Sequence, residues 1–401
     1  MKNIVFGTIV VLGSIFPLML KAQQNYAIKN VAVIPMTRDT VLPNRTILIR
    51  GQVIDKVDES TKVRIPKDYI VIDGRNKYVI PGLFDMHAHF FNEQGNLANT
   101  CETELQMMLA NGLTTARIMA GHPNYLEARE NVKRGKWTGP DLIVASPQFV
   151  GQWPWEENFK NYEIVDTPEM ASDAVKKYKL QDYDAIKITF MVDRPSYDAI
   201  VSTAKDEGIK VVGHVGPKVK LPAALTAGEQ IDHMDEFIDM LLPDSTYNLG
   251  QSVSDMNLWR MNAWATVPYL DENKIPELVK MVKESGIYVT PTNFFFISCF
   301  GSEFTDEIYK QRPDYDYIPA AIKPERWKIK ELNRNMKIPS ESLDRYVYLR
   351  KKMTKKLWKG GVPLMAGSDS PEWFLVTGFS IHDEIATVSY THLTLPTIYS
   401  V

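Results

Sequence analysis

Hydrophobic and polar positions change their period once along this chain, near Val79. From Tyr26 to Tyr78, short β-rich runs alternate with turns, at Asn30 to Pro35, Thr46 to Arg50, Val53 to Val57 and Tyr69 to Ile72, and Asp73-Gly74 reads as a tight turn. This predicts a small β-subdomain over residues 23–78. From Val79 onward, apolar strand-like runs alternate with amphipathic helical segments, the pattern of βαβ units feeding a parallel sheet. Strands are predicted at Leu83 to His89, Thr114 to Ile118, Leu142 to Ala145, Ala185 to Thr189, Val211 to Val215, Gln230 to His233, Tyr288 to Thr292 and Pro363 to Ala366. Helices are predicted at Pro168 to Tyr178, Ser196 to Glu207, Lys274 to Ser285 and Leu343 to Lys359. The fold expected is α/β, a (β/α)8 TIM-type barrel over residues 79–388 behind the small N-terminal β-subdomain. Reactive groups of such a barrel sit at the C-terminal ends of its strands.

The two ends follow other patterns. Met1 and Lys2 precede an apolar run, Ile4 to Leu20, and then Lys21-Ala22, the layout of a cleavable signal peptide over residues 1–22. Gly7, Gly13 and Pro17 weaken it as a spanning helix, and no cysteine follows to carry a lipid, so an exported, periplasmic protein without a stable membrane anchor is expected. Ser389 to Val401 has no helical periodicity and contains Pro396. This tail, 389–401, is expected to be non-native sequence ending a truncated C-terminal part. Truncation would leave N-terminal strand edges unpaired.

Composition narrows the chemistry. Of the 401 residues, 44% are hydrophobic and 24% charged, an ordinary globular balance. With 46 basic and 49 acidic side chains the net charge is −3, so no basic field exists to hold nucleic acid. Cys101 and Cys299 make no disulfide framework and no CxxC pair, although in an oxidising compartment the two could join. There is no phosphate loop, dinucleotide fingerprint, HExxH helix or nucleophile elbow.

What remains is histidine at strand ends. The first barrel strand closes with His87-Ala88-His89, and residues two apart in a strand point the same way, so both imidazoles can grip one cation. Taken alone, two histidines in a polar turn explain HxH equally well. His214 and His233 end two further predicted strands, so four of the seven histidines fall at such ends, which packing alone explains poorly because buried polar groups need partners. Asp369 follows the eighth predicted strand. It can ligate a metal, take a proton from an activated water and return it to a leaving amine, or it can be a helix N-cap. Lys187 lies within Ala185-Ile186-Lys187-Ile188. Facing inward, it would have a depressed pKa and an amine able to capture carbon dioxide as a carbamate that bridges two cations; facing outward, it would reach solvent.

The string Val79-Ile80-Pro81-Gly82-Leu83-Phe84-Asp85-Met86-His87-Ala88-His89 resembles the opening metal motif of the amidohydrolase superfamily. Asn111-Gly112-Leu113-Thr114-Thr115, Gly139-Pro140, Ala185-Ile186-Lys187, Gly213-His214, Ile231-Asp232-His233 and Gly378-Phe379-Ser380-Ile381-His382-Asp383-Glu384 follow in that family's order, and the arrangement is similar to its imidazolonepropionase-like and Xaa-Pro dipeptidase-like branch. The resemblance implies that His87 and His89 hold a first metal, that His214 and His233 hold a second or bind substrate, that Asp369 is the catalytic aspartate and that Lys187 occupies the carboxylated position. It implies one or two divalent ions, zinc first, and hydrolysis of an amide or other C–N bond in a small molecule such as a dipeptide or acyl amino acid. A cyclic-amide hydrolase or deaminase, a non-catalytic exported metal- or solute-binding barrel and an inactive fragment are the alternatives. No residue is assigned to substrate binding, and oligomeric state is open. Relatives commonly carry aspartate after the arginine of the second strand, whereas Arg117 here precedes Ile118. His122 and His382 are further polar candidates, His382 as a structural residue. The insertions Leu241 to Asn273 and Phe300 to Pro339, with Trp153, Trp155 and Phe159, are expected near the barrel mouth.

Overall fold

A computed structural model describes residues 24–91, 98–151, 161–189, 191–243, 267–335 and 337–389. The predicted signal peptide, residues 244–266 of the predicted insertion Leu241 to Asn273, Trp153, Trp155, Phe159 and all but the first residue of the tail 389–401 lie outside the described residues. The chain divides into two compact units, one of residues 1–35 and 40–81, the other of residues 36–39 and 82–401.

The first unit is one sheet. β1 (Tyr26–Val33) pairs antiparallel with β2 (Leu42–Arg50), which pairs antiparallel with β3 (Val53–Glu59), while β4 (Ile70–Asp73) and β5 (Tyr78–Val79) add parallel to β1. The first strand begins four residues before its predicted start because Asn30 takes a left-handed φ of 59° and the register slips between Ile28 and Val31. That bulge interrupts the alternation by which a strand is read. Val31 and Ile47 are buried on one face, whereas Val53, Ile54, Ile70 and Ile72 are exposed.

The second unit is a parallel barrel. Its strands β6 (Leu83–Ala88), β7 (Leu113–Ile118), β8 (Asp141–Val150), β10 (Ala185–Ile188), β11 (Lys210–Gly213), β12 (Gln230–Asp232) and β13 (Val289–Thr290) pair in that order, and the short β9 (Tyr162–Ile164) adds to β8. The eighth predicted strand is an irregular segment with isolated bridges, Leu364 to Val289 and Ser370 to Ala88. It still closes the circle: Met365 donates to the Val289 carbonyl, Met86 to that of Ala366, Asp369 to that of His87 and His89 to that of Ser370, at 2.7–2.9 Å. Positive φ at Asp369 bends the segment away from ladder geometry.

Alternation sorts the two faces of each strand. Ile186 and Ile188 face the helical layer with Val144 and Ile118, whereas Ala185 groups inside the barrel with Met119, Ala145 and Val212. The helices fall where their patterns place them, at Pro168–Leu180, Arg194–Asp206, Ile275–Ser285 and Ser340–Lys359. Two start on side-chain caps with proline in the first turn: Thr167 accepts from the Met170 N–H and Asp193 from the Ser196 N–H. Gly213 sits at φ 133°, where an added Cβ would lie 2.2 Å from the Ile188 carbonyl oxygen, so only glycine lets the chain turn from β11 into His214. Among the described residues no helix is long and apolar enough to cross a membrane. Cys101 and Cys299 are not joined by a disulfide.

Candidate metal centre inside the barrel

Four of the residues singled out from sequence meet at one point. His87 Nε2 lies 3.1 Å from Asp369 Oδ1 and 3.3 Å from His89 Nε2, and His89 Nε2 lies 3.4 Å from the same carboxylate oxygen. His233 joins from β12, its Nδ1 3.9 Å from Asp369 Oδ2, and ligand atoms of His87, His233 and Asp369 all fall within 4.8 Å of one another. Nitrogens bound tetrahedrally to zinc at about 2.0–2.1 Å stand about 3.3 Å apart, so these spacings match a cation's coordination shell. Burial, followed by the neighbouring His214 and His87 rings, drives the His233 imidazole well below its usual pKa, keeping it neutral with a lone pair to offer. For Asp369 burial works toward protonation, but His87, His89 and His233 outweigh it and hold the carboxylate ionised. Two imidazoles, a third neutral imidazole and a carboxylate, all buried, fit a divalent cation.

Asp369 is held by backbone rather than used as a helix cap. Its N–H donates to the His87 carbonyl at 2.7 Å. Next to it, the Ser368 N–H and hydroxyl donate to Asp85 at 3.0 and 2.6 Å, so a fully buried carboxylate two residues before His87 clasps the first strand to the closing segment. His214 takes a different place: its ring stacks on His233 with centroids 4.3 Å apart.

Lys187 points inward. It shares the parity of Ala185, is 1% exposed, and its Nζ makes no hydrogen bond, the nearest carboxylate oxygen being Asp232 Oδ2 at 3.8 Å. Burial lowers its pKa, opposed by Asp232. Among the other histidines, His122 caps the helix Pro123–Lys133 by accepting from the Asn124 N–H, and exposed His382 bonds the Asn111 carbonyl, both structural roles.

Sequence reasoning missed the charges that support this cluster. Asp232 Oδ2 lies 3.4 Å from His87 Nδ1, which leaves Nε2 turned to Asp369. Burial pushes Asp232 up, but Arg117 and His87 hold it well below the carboxylate range. Arg117 donates to Asp232 at 2.7 Å, to Gln230 at 2.9 Å and to the Met86 carbonyl at 2.7 Å. The carboxylate partner of this arginine thus comes from β12. Asp232 was detectable as a charge within a predicted strand, in the motif that ends on His233; the Arg117 contact, spanning 115 residues, left no local signal. The insertion after Phe300 forms the helices Asp306–Gln311 and Lys323–Asn335. Its Tyr309 and Trp327 pack on Phe374, just beyond Asp369, with centroids 4.4 and 4.6 Å apart.

Beyond His89, the Phe91 N–H and the Thr377 hydroxyl donate to Glu104 at 3.0 and 3.1 Å. Burial raises this carboxyl from 4.5 to about 8. Between those values the folded chain binds the proton and the unfolded chain does not, so stability falls as pH rises from about 4.5 to about 8. Glu104→Gln is expected to match wild type near pH 5 and exceed it near pH 8, with one proton contributing at most about 1.4 kcal/mol per pH unit. Urea titrations of both proteins at the two pH values check this; parallel pH slopes would contradict it.

The sequence profile of the amidohydrolase family matches residues 78–370. A dihydroorotase of Caldanaerobacter subterraneus subsp. tengcongensis is 37% identical over 73 residues, 18% of this chain and 16% of its own length. A dihydroorotase of Anaeromyxobacter dehalogenans is 33% identical over 75 residues, 19% and 17% of the two chains. The chain thus aligns with about a sixth of these curated relatives' length. Similar solved structures include a bottromycin amidohydrolase (TM-score 0.67, 21% identity, covering 96% of this chain and 79% of the other). A Xaa-Pro dipeptidase with bound methionine in its active site follows at TM-score 0.62 and 19% identity, covering 94% and 86%. The ochratoxinase of A. niger superposes at 0.59 with 16% identity, covering 93% and 81%. At these identities the likeness is one of fold.

Proposed function

This chain belongs to the amidohydrolase family, and from that premise we propose that it is a metal-dependent hydrolase cleaving an amide or other C–N bond of a small substrate, a dipeptide or an acyl amino acid. The observation that carries the reading is the meeting of His87, His89 and Asp369 at 3.1–3.4 Å, with neutral His233 beside them. His87, His89, His233 and Asp369 would hold the cation, with His214 beside a second position. A bound divalent cation supplies Lewis acidity to a carbonyl oxygen and acidifies water. Asp369, ionised and fixed by its backbone, accepts the proton of the attacking water and hands it to the departing nitrogen. Asp232 keeps His87 in one tautomer and orientation. The closed barrel keeps bulk water from these charges.

Lys187, as a carbamate, would bridge two cations. Its inward, solvent-free amine and the absence of any hydrogen bond to Nζ support this. Zinc is the first choice for imidazole and carboxylate ligands, with manganese, iron and cobalt as competitors. The structural likeness to a dipeptidase holding an amino acid supports the substrate class. The apolar run Ile4 to Leu20 supports export with cleavage after Ala22, which intact mass of the secreted protein checks.

Elemental analysis of protein purified with zinc and bicarbonate, paired with a hydrolysis screen over dipeptides, acyl amino acids and cyclic amides, tests the reading. Two zinc equivalents falling to one in Lys187→Ala are expected. One equivalent in both proteins would refute the bridge, and zinc binding without turnover of any class would favour a binding barrel.

A further inference from the structure

Thr292 follows β13 with φ 46° and ψ 42°, a left-handed conformation that β-branched residues rarely adopt. It stands at the N-cap of the helix Asn293–Phe300, where threonine ordinarily turns its hydroxyl onto the helix's own N–H groups. Here that bond is missing, and Thr292 Oγ1 lies 2.6 Å from His233 Nδ1 instead. The capping acceptor comes from another element. Glu384, fully buried on the helix Ser380–Ser389, accepts the Asn293 N–H through Oε1 at 3.0 Å and the Phe294 N–H through Oε2 at 2.6 Å.

Two more contacts hold the same turn. Arg350, fully buried on the helix Ser340–Lys359, donates to the Pro291 carbonyl at 2.9 Å, and the Asn293 side chain donates to the Thr354 hydroxyl at 2.7 Å. A strained residue persists only where its surroundings over-determine it, and the residues on both sides of Thr292 are tied down here. A buried carboxylate is costly unless its oxygens find donors. Each oxygen of Glu384 has one, and both donors lie next to the residue that touches His233.

We propose that Glu384 is a positioning residue for His233: by capping the helix in place of Thr292, it releases the Thr292 hydroxyl to fix the orientation of the His233 ring through its contact with Nδ1. This rests on the reading of His233 as a ligand. Partners that orient a ligating histidine are worth about 10–100-fold in metal affinity.

Cobalt(II) affinity, measured by competition with a chromophoric chelator, and the visible spectrum of the cobalt protein test this, with the melting midpoint of metal-free protein as a control on the fold. Glu384→Gln and Thr292→Ala are each expected to weaken cobalt binding about 10–100-fold and alter the spectrum. The double variant should be no weaker than the worse single one, because both act on one ring. Thr292→Ser, keeping the hydroxyl, should restore wild-type values, and it carries the test if Glu384→Gln does not fold. A lower melting midpoint with unchanged affinity and spectrum, or effects that multiply in the double variant, would overturn the proposal. His233→Ala separates the two levels: unchanged cobalt affinity there removes His233 as a ligand and this inference with it, whereas a loss confined to His233→Ala removes the inference alone.

Discussion

Asp369→Asn is expected to lower kcat by about 10²- to 10⁴-fold while the melting midpoint and metal content stay near wild type. Asparagine has the shape of aspartate and tolerates left-handed backbone, so the φ of 60° at this position and the 2.7 Å bond from its N–H to the His87 carbonyl survive. Three imidazoles remain to hold the cation. What disappears is a carboxylate able to take a proton from water and return it. Steady-state kinetics on the best substrate from the screen, with elemental analysis of the same preparation, decide the matter. Wild-type turnover in the metal-loaded variant would remove Asp369 as the base. Loss of metal together with turnover would make it a ligand first.

The largest loss of stability is expected from Arg117→Met, about 3–5 kcal/mol by chemical denaturation. Arg117 is buried, and its guanidinium is the largest of the contacts, with His87 and Lys187, that outweigh the desolvation of Asp232. Methionine fills part of the space but leaves Asp232 facing only His87 at 3.4 Å and Lys187 at 3.8 Å. A buried carboxylate stripped of its guanidinium partner is pushed toward taking up a proton, which would weaken its hold on His87 Nδ1. Metal affinity should therefore fall with stability. Adding Asp232→Asn to Arg117→Met should recover part of the stability, since the cost lies in the unpaired charge. A loss below about 1 kcal/mol in the single variant, or no recovery in the double, would show that this pair does not hold the barrel interior together.

The barrel was legible because strand and helical patterns alternate along the chain, and because parallel strands buried on both faces read as short apolar runs. The HxH pair shares a face by strand period, but it became legible as a metal site only in the company of His214 and His233 at two further strand ends. Lys187 was undecided because alternation gives two faces without saying which is inside; the company of Ala185, Met119 and Val212 decides it. Arg117 with Asp232 and Thr292 with His233 were not legible, since each joins residues far apart along the chain whose nearness follows only from closure of the barrel. Glu384 was visible in sequence as part of the Gly378 to Glu384 motif, but its work, capping a helix that begins 91 residues earlier, needs the packed structure. The eighth strand shows the opposite limit. Its apolar run predicts pairing, which occurs, while the turn at Asp369 that gives the segment its chemistry also spoils its strand geometry.

Anomalous scattering at the zinc edge, from crystals of the full chain grown with zinc and bicarbonate, bears most directly on whether these side chains hold a cation. The expected map has its strongest peak within bonding distance of His87, His89 and Asp369, with a second near Lys187 and His214 if the lysine carries a carbamate. A map with no peak among these residues, their nitrogens and oxygens joined only by hydrogen bonds, would contradict it.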